Sequence, residues 1–269
     1  MAAKPVPAAT IMLLRQAAGS PEVLMLERHA NSEFLPDLYV FPGGRVDPGD
    51  HELADRVAGL TADQALERAP SVPPDTALAF FVAAIRETFE EAGVLLARQR
   101  GESELVSGAL AAELSNYRLE LQEGKRSLRQ IAEDYDLELE AGRLSVHGHW
   151  ITPEVVPKRF DTLFFTAAAP TDHEATHDGV ESSNHVWIQP EEAIAQARRK
   201  QKKMNLPTLA NLQTLAGFER AEDAIESSRQ RKVVPILPTV TSDGDGNKLV
   251  IPADVGYPFT EEKLELPGR

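Results

Sequence analysis

The sequence predicts an α/β fold, and three observations predict it. Short apolar runs near the N-terminus are punctuated by Gly and Pro, as strands are. A long apolar-periodic stretch beginning at Thr76 has helical spacing. Further strand-like runs then alternate with helical ones, which favours a mixed sheet covered by helices.

Residues 9–27 read as strand, turn, strand: Thr10-Ile11-Met12-Leu13-Leu14 is apolar, Gly19-Ser20-Pro21 breaks it, and Val23-Leu24-Met25-Leu26 resumes. Tyr39-Val40-Phe41 is a short strand stopped by Pro42-Gly43-Gly44. Residues 50–74 are polar and rich in Ala and Pro, with a weak helical pattern at 62–68, and read as an insertion. Residues 76–97 read as a helix because Leu78, Phe81, Ile85 and Phe89 recur every three or four positions. Gly93 is a stop signal within it. Residues 102–139 read as helical with a break at Glu123-Gly124-Lys125. Trp150-Ile151-Thr152-Pro153 opens a new section. Residues 160–166 and 185–188 are strands, and 191–203 and 207–220 are helices. Near the end, 232–238 and 247–252 flank Asp243-Gly244-Asp245-Gly246, a hairpin signal. The chain reads as a single domain, 1–269, with insertions at 51–78 and 102–139 and C-terminal helices and a hairpin over 191–269.

Composition narrows the function classes. A net charge of -14 argues against a nucleic-acid-binding surface, which needs a basic stripe. A phosphorylated small molecule stays possible, because divalent cations bridge it to carboxylates. With no cysteine, disulfides, thiolate metal sites and cysteine catalysis are excluded. No apolar stretch reaches the length of a membrane span. Neither a signal peptide at the start nor a Ser-Lys-Leu address at Leu266-Pro267-Gly268-Arg269 is evident, so a cytoplasmic protein is expected. A homodimer is compatible with the insertions.

The chemistry concentrates in Arg86-Glu87-Thr88-Phe89-Glu90-Glu91-Ala92-Gly93. On a helix, Glu87, Glu90 and Glu91 share one face about 5–6 Å apart. Like charges so close call for a counter-charge, and oxygen-rich sites suit Mg²⁺ or Mn²⁺. A plain solvated acidic helix is the competing reading. A chance match to five specified residues in eight has odds of about one in a million per position, which favours chemistry.

Arg-Glu-x-x-Glu-Glu-x-Gly resembles the second half of the Nudix box. The first half, a glycine, five residues and an acid, matches Gly44 to Asp50 behind Phe41-Pro42-Gly43. The resemblance implies a Nudix-type α/β/α sandwich with a mixed sheet plus helical insertions. It implies metal ligands and a catalytic base among Glu87, Glu90 and Glu91, with Arg86 orienting the carboxylates. It also implies a backbone carbonyl ligand at Gly43. A further acid is expected outside the box, and Glu181, six residues before Trp187, is the candidate; either Glu87 or Glu181 would then be the base. Three departures stand out: Asp50 replaces the usual glutamate, Thr88 replaces an apolar residue, and the box is split by residues 51–78. Loop closure grows only logarithmically with length, so the split is tolerable.

The split box, with Phe34-Leu35-Pro36-Asp37, Val94-Leu95-Leu96, Trp150-Ile151-Thr152-Pro153 and Arg159-Phe160-Asp161-Thr162, resembles the branch that includes peroxisomal acyl-coenzyme A diphosphatase. That branch implies cleavage of a nucleoside diphosphate linked to another group, with coenzyme A or acyl-coenzyme A giving 3',5'-ADP and phosphopantetheine. NADH, ADP-ribose or a nucleotide sugar is the second reading, and a non-catalytic nucleotide-binding regulator the third.

Other motifs weigh less. His173-Glu174-Ala175-Thr176-His177 fits a zinc-protease pattern, but its flanks lack an apolar helical face, so a loop near the site is expected. Phe160, Phe164 and Phe165 read as core. Lys200, Lys202, Lys203, Arg231 and Lys232 read as solvated. Arg28 and Arg159 are the candidates for phosphate contact, because a guanidinium binds one in bidentate fashion.

Overall fold

The computed structural model describes residues 2–29, 37–180, 182–243 and 246–263. Its centre is an eight-stranded mixed sheet. The strands are β1 (Val6–Gln16), β2 (Pro21–Arg28), β3 (Tyr39–Val40), β4 (Gly43–Arg45), then β5 (Ala97–Gln99) and β6 (Leu137–Leu139) in a separate pair. β7 (Ser145–Ile151), β8 (Phe160–Ala168), β9 (Ser182–Ile188) and β10 (Pro235–Ile236) complete the main sheet. Its order is β10-β7-β8-β1-β2-β3, with β4 beside β1 and β9 beside β2. β1 runs parallel to β8 and antiparallel to β2.

Strand alternation divides the core in two. Ala9, Ile11 and Leu13 of β1, with Leu163 and Phe165 of β8, face one apolar cluster. Met12, Leu14 and Phe164 face the other. Helix α3 (Ala77–Ala92) fills the first side, after α1 (Pro48–Glu52) and α2 (Ala62–Arg68). Helices α4 (Gly108–Leu114), α5 (Arg118–Gln122) and α6 (Leu128–Asp134) follow it. Helices α7 (Pro190–Arg198), α8 (Leu206–Leu215) and α9 (Ala221–Gln230) supply apolar residues to the second side. This is the α/β/α sandwich expected from the sequence.

Several boundaries depart from the sequence reading, each for a local reason. The helix expected over 76–97 ends at Ala92, because Gly93 adopts a left-handed φ of 70° and its N–H closes on the Phe89 carbonyl. Ala97 then starts β5. The helical reading of 102–139 holds only in pieces, and its end, Leu137–Leu139, is a strand paired with β5. The helix expected over 191–203 stops at Arg198, with Lys200 left-handed at φ 59°. The helix expected over 207–220 stops at Leu215. Helix α9 carries a weak apolar signal in the sequence, because its buried positions are Ala221, Ala224, Ile225 and Ser228, with one large apolar residue among them. The hairpin strands are β11 (Thr239–Asp243) and β12 (Gly246–Val250), joined by β13 (Glu261–Lys263). Residues 232–238 instead place β10 beside β7. The hairpin's two turn residues, 244 and 245, lie outside the described residues, as does much of the Phe34-Leu35-Pro36-Asp37 motif.

The core contacts of α3 extend beyond the stripe of Leu78, Phe81, Ile85 and Phe89. Phe80, Val82, Ala83 and Ala84 are as buried as Phe81, Ile85 and Phe89, while Leu78 is only partly covered. The sheet covers one side, and α1, α2 and α5 from the insertions close around the rest.

The segment 51–78 begins within α1 and ends in the first turn of α3. It is tied to the sheet by polar contacts. Ser71 Oγ pairs with His149 Nδ1 at 2.7 Å, and His149 Nε2 pairs with Asp161. His149 is buried on β7. Ser71→Ala leaves that ring nitrogen without a partner and is expected to cost about 1–3 kcal/mol. Denaturant unfolding checks this, and an unchanged midpoint would show that the tie holds nothing. Among the described residues, no helix is long and apolar enough to cross a membrane.

Candidate active site

The site forms where β4 crosses the outer face of α3. Gly43 and Gly44 pair with Thr10 and Ala9 of β1, which sets β4 against the helix. The Gly43 N–H donates to Glu91 Oε2 at 2.8 Å. Gly44 lies over Glu87, and a Cβ there would collide with the Glu87 carboxylate. The stricter need for glycine is at Gly43, where a Cβ would run into the backbone of Ala9 and Thr10.

Arg86 is the hub. Its Nε and Nη2 donate to the two Asp50 oxygens at 2.8 and 3.0 Å. Its Nη1 reaches Glu87 at 2.9 Å and Glu90 at 3.3 Å, and its Nη2 also donates to the Arg45 carbonyl at 2.8 Å. Asp50 is fully enclosed and accepts the Asp47 N–H at 2.7 Å, so α1 caps itself with the carboxylate that grips Arg86. The box halves are 36 positions apart in sequence and in direct contact in space.

Charge balance in this cluster is uneven. Burial works against the Arg86 cation, but Asp50, Glu87 and Glu90 outweigh it and hold its pKa above the ordinary arginine value. Burial raises the Glu87 carboxyl to about 7, and the charges of Glu90 and Asp50 add to this against the pull of Arg86. Glu90 is raised in the same way, by burial first and then by Asp50 and Asp47. One guanidinium does not neutralise this many carboxylates, and the excess fits a divalent cation.

This imbalance gives a pH prediction. A carboxyl raised in the folded state from 4.5 to about 7 makes the native protein bind more protons. Its contribution therefore lowers stability as pH rises through that window. In metal-free protein, Glu87→Gln is expected to flatten the slope and stabilise the fold above pH 7. Thermal unfolding in a chelator between pH 4.5 and 8 measures this; an unaltered slope counts against it.

The far end of α3 is held by groups the sequence did not reveal. Arg118 Nε donates to the Glu90 carbonyl at 2.9 Å, and its Nη1 to Thr176 Oγ1 at 3.0 Å. Gln122 Nε2 donates to Asp178 Oδ2 at 2.6 Å and reaches the Glu90 carbonyl. The Thr176 N–H caps the Ala92 carbonyl at 2.9 Å. These satisfy carbonyls that a helix end leaves open. The partners lie 28 to 84 positions apart, and no local pattern encodes such pairing.

A cleft of about 1280 Å³ opens over the cluster. Glu87, Glu90, Arg86, Asp50, Gly43 and Gly44 line it from below. Arg28, Phe160 and Thr162 line it from the main sheet, Lys158 from the loop before β8, and Lys125, Arg126 and Arg129 from the α5–α6 segment. Thus Arg86, Glu87, Glu90 and Gly43 meet in one place, with Glu91 beneath Gly43. Among the described residues, no three carboxylate or imidazole groups converge on one point. Glu181 lies outside the described residues.

Other expectations sort plainly. Arg159 does not face the cleft: its Nε and Nη1 are spent on the Thr152 and Ala3 carbonyls at 2.9 and 2.8 Å. Phe164 and Phe165 are core, whereas Phe160 lines the cleft. His173 and His177 sit in an irregular segment and face different partners, the Val106 carbonyl and the His185 ring.

Comparison with known proteins agrees with this geometry. Residues 54–215 match the family model described as the NUDT19 Nudix domain. The chicken acyl-coenzyme A diphosphatase NUDT19 is 29% identical, over 90% of this chain and 75% of its own length. The human protein of that name is 26% identical, over 90% and 74%. A Nudix hydrolase structure from Alicyclobacillus acidocaldarius superimposes with a TM-score of 0.70 at 28% identity, covering 83% of this chain and 96% of that one. The matched span starts beyond Asp50, so the first half of the box joins the site by geometry. With its split box rejoined through Arg86 and Asp50, the chain belongs to the NUDT19 Nudix domain family and is a Nudix hydrolase.

Proposed function

We propose that this enzyme hydrolyses the phosphoanhydride of coenzyme A or acyl-coenzyme A, releasing 3',5'-ADP and the corresponding phosphopantetheine. One observation carries the reading: a glutamate cluster with a carboxyl raised to about 7 forms part of a cleft that also has cationic walls. Such a cleft suits a large, highly anionic nucleotide. The names of the chicken and human relatives support the coenzyme A class.

Nudix hydrolases generally work with divalent metal ions, and Mg²⁺ or Mn²⁺ is the ion we assign. Glu87, Glu90 and Glu91, with the Gly43 carbonyl, are the donors we assign to it, and Glu181 is the expected further acid. Bound there, the ion supplies charge neutralisation on the diphosphate and a more acidic water. The chain's own groups do the rest. Glu87 or Glu181 positions the attacking water or takes its proton. Arg86 fixes where Glu87 and Glu90 point. Gly44 lets backbone and substrate approach the carboxylate. The cationic walls hold the departing phosphates.

Assay of the purified protein with Mg²⁺ and Mn²⁺ on coenzyme A, acetyl-coenzyme A, NADH, ADP-ribose and a nucleotide sugar tests this. The expected result is 3',5'-ADP as the dominant product. Preference for NADH or ADP-ribose would overturn the substrate class, and tight binding without turnover on every compound would favour a regulator.

A further inference from the structure

Arg28 closes β2 and lines the cleft. Its backbone is engaged, with the N–H donating to the Leu38 carbonyl at 2.9 Å. Within its guanidinium, Nε is shut away from solvent and meets no acceptor among the described residues, while the residue as a whole is half-buried. Arg56, Arg118 and Arg126 also have a buried nitrogen without an acceptor, but each is anchored through another nitrogen, to Asp136, Thr176 and Asp134 respectively. Among the described residues Arg28 has no such anchor. The chain carries 42 acidic residues against 28 basic ones, yet among the described residues none is placed against the Arg28 Nε. A buried N–H left unpaired is costly. A ligand in the cleft would meet that cost.

The strand is also shaped for this. The pairing of β2 with β9 slips between Glu27 and Arg28. Such irregularities bend a strand and re-aim its side chains. Glu27, the nearest carboxylate in sequence, is taken by the Tyr39 hydroxyl at 2.7 Å. Phe160 and Thr162 share the sheet wall of the cleft with Arg28. A planar guanidinium in the same cleft as an aromatic ring and a hydroxyl suits a phosphorylated nucleoside.

We propose that Arg28 is the substrate-binding residue that grips a phosphoryl group of the nucleotide from the sheet side of the cleft. The inference rests on the reading of the substrate as a nucleoside diphosphate, but not on coenzyme A in particular.

The test uses the full chain as wild type, Arg28→Gln and Arg28→Lys. Each is titrated with 3',5'-ADP, 5'-ADP and pantetheine, and assayed on whichever nucleotide the wild type hydrolyses. Arg28→Gln is expected to weaken binding of both nucleotides and raise KM by roughly ten- to a hundred-fold. Pantetheine affinity and kcat should change far less, and Arg28→Lys should recover part of the loss. Because the substitution removes an unpaired buried donor, Tm should stay level or rise. Wild-type KM and nucleotide affinity in Arg28→Gln would overturn the proposal. So would a fall in Tm with lost affinity that Arg28→Lys fails to restore, which would mark a structural brace. Turnover of NADH in place of coenzyme A, with KM still dependent on Arg28, would defeat the substrate reading and leave this inference standing.

Discussion

Glu90→Gln and Glu91→Gln are each expected to lower kcat by roughly a thousand-fold, with Tm almost unchanged. The rate effect follows from losing a negative donor: charge stabilisation in such sites supplies several kcal/mol, and every 1.4 kcal/mol is about tenfold. The stability effect is small because glutamine keeps the shape and an acceptor oxygen. In Glu91→Gln that oxygen still accepts the Gly43 N–H. In Glu90→Gln the amide oxygen still faces Arg86 Nη1. Steady-state kinetics at saturating Mg²⁺, beside a thermal melt, decide the matter. Wild-type rates in both variants would remove the glutamate cluster from the mechanism.

Arg86→Met is expected to destabilise the protein by about 3–5 kcal/mol, the range for removing one partner of a buried ionic cluster. The substitution strands Asp50, which is wholly enclosed, and leaves Glu87 and Glu90 facing each other without a cation. It also frees α1, whose capping carboxylate is the one Arg86 holds. The loss should be larger above pH 7 than at pH 5. At the lower pH the Glu87 carboxyl, raised to about 7, is already protonated and repels its neighbours less. Arg86→Lys should recover little, because an ammonium cannot span both Asp50 oxygens. Urea unfolding at the two pH values measures this, and a loss under about 1 kcal/mol would mean the cluster relaxes around the gap.

Much of the architecture was legible because its signals are local. Gly93 marked a stop near the end of α3, and the apolar run Thr10-Ile11-Met12-Leu13-Leu14 marked a strand, which the structure buries on both faces. The cluster of Arg86, Glu87, Glu90 and Gly43 was legible because helical spacing fixes which residues share a face. What was not legible depended on distance in sequence. The enclosure of α3 is made by α1, α2 and α5, whose docking no periodicity states. Arg118 and Gln122 look like surface residues of a short helix until Glu90 and Asp178 appear beside them. Arg28 and Arg159 are alike on paper; burial and two backbone carbonyls separate them. Helix α9 shows the opposite failure, in which mostly small buried residues pack well and advertise little.

The grip of α5 on the last turn of α3 has a consequence for how this enzyme can be rebuilt. The segment that furnishes Lys125 and Arg126 to the cleft wall is continuous with the one whose Arg118 and Gln122 hold the Glu90 carbonyl. Wall and catalytic turn are thus one mechanical part. Grafting the wall of a relative to change its choice of cargo would also reset the seating of Glu90. Chimeras that keep Arg118, Gln122, Thr176 and Asp178 together should retain turnover, whereas those that import the wall alone should trade it away.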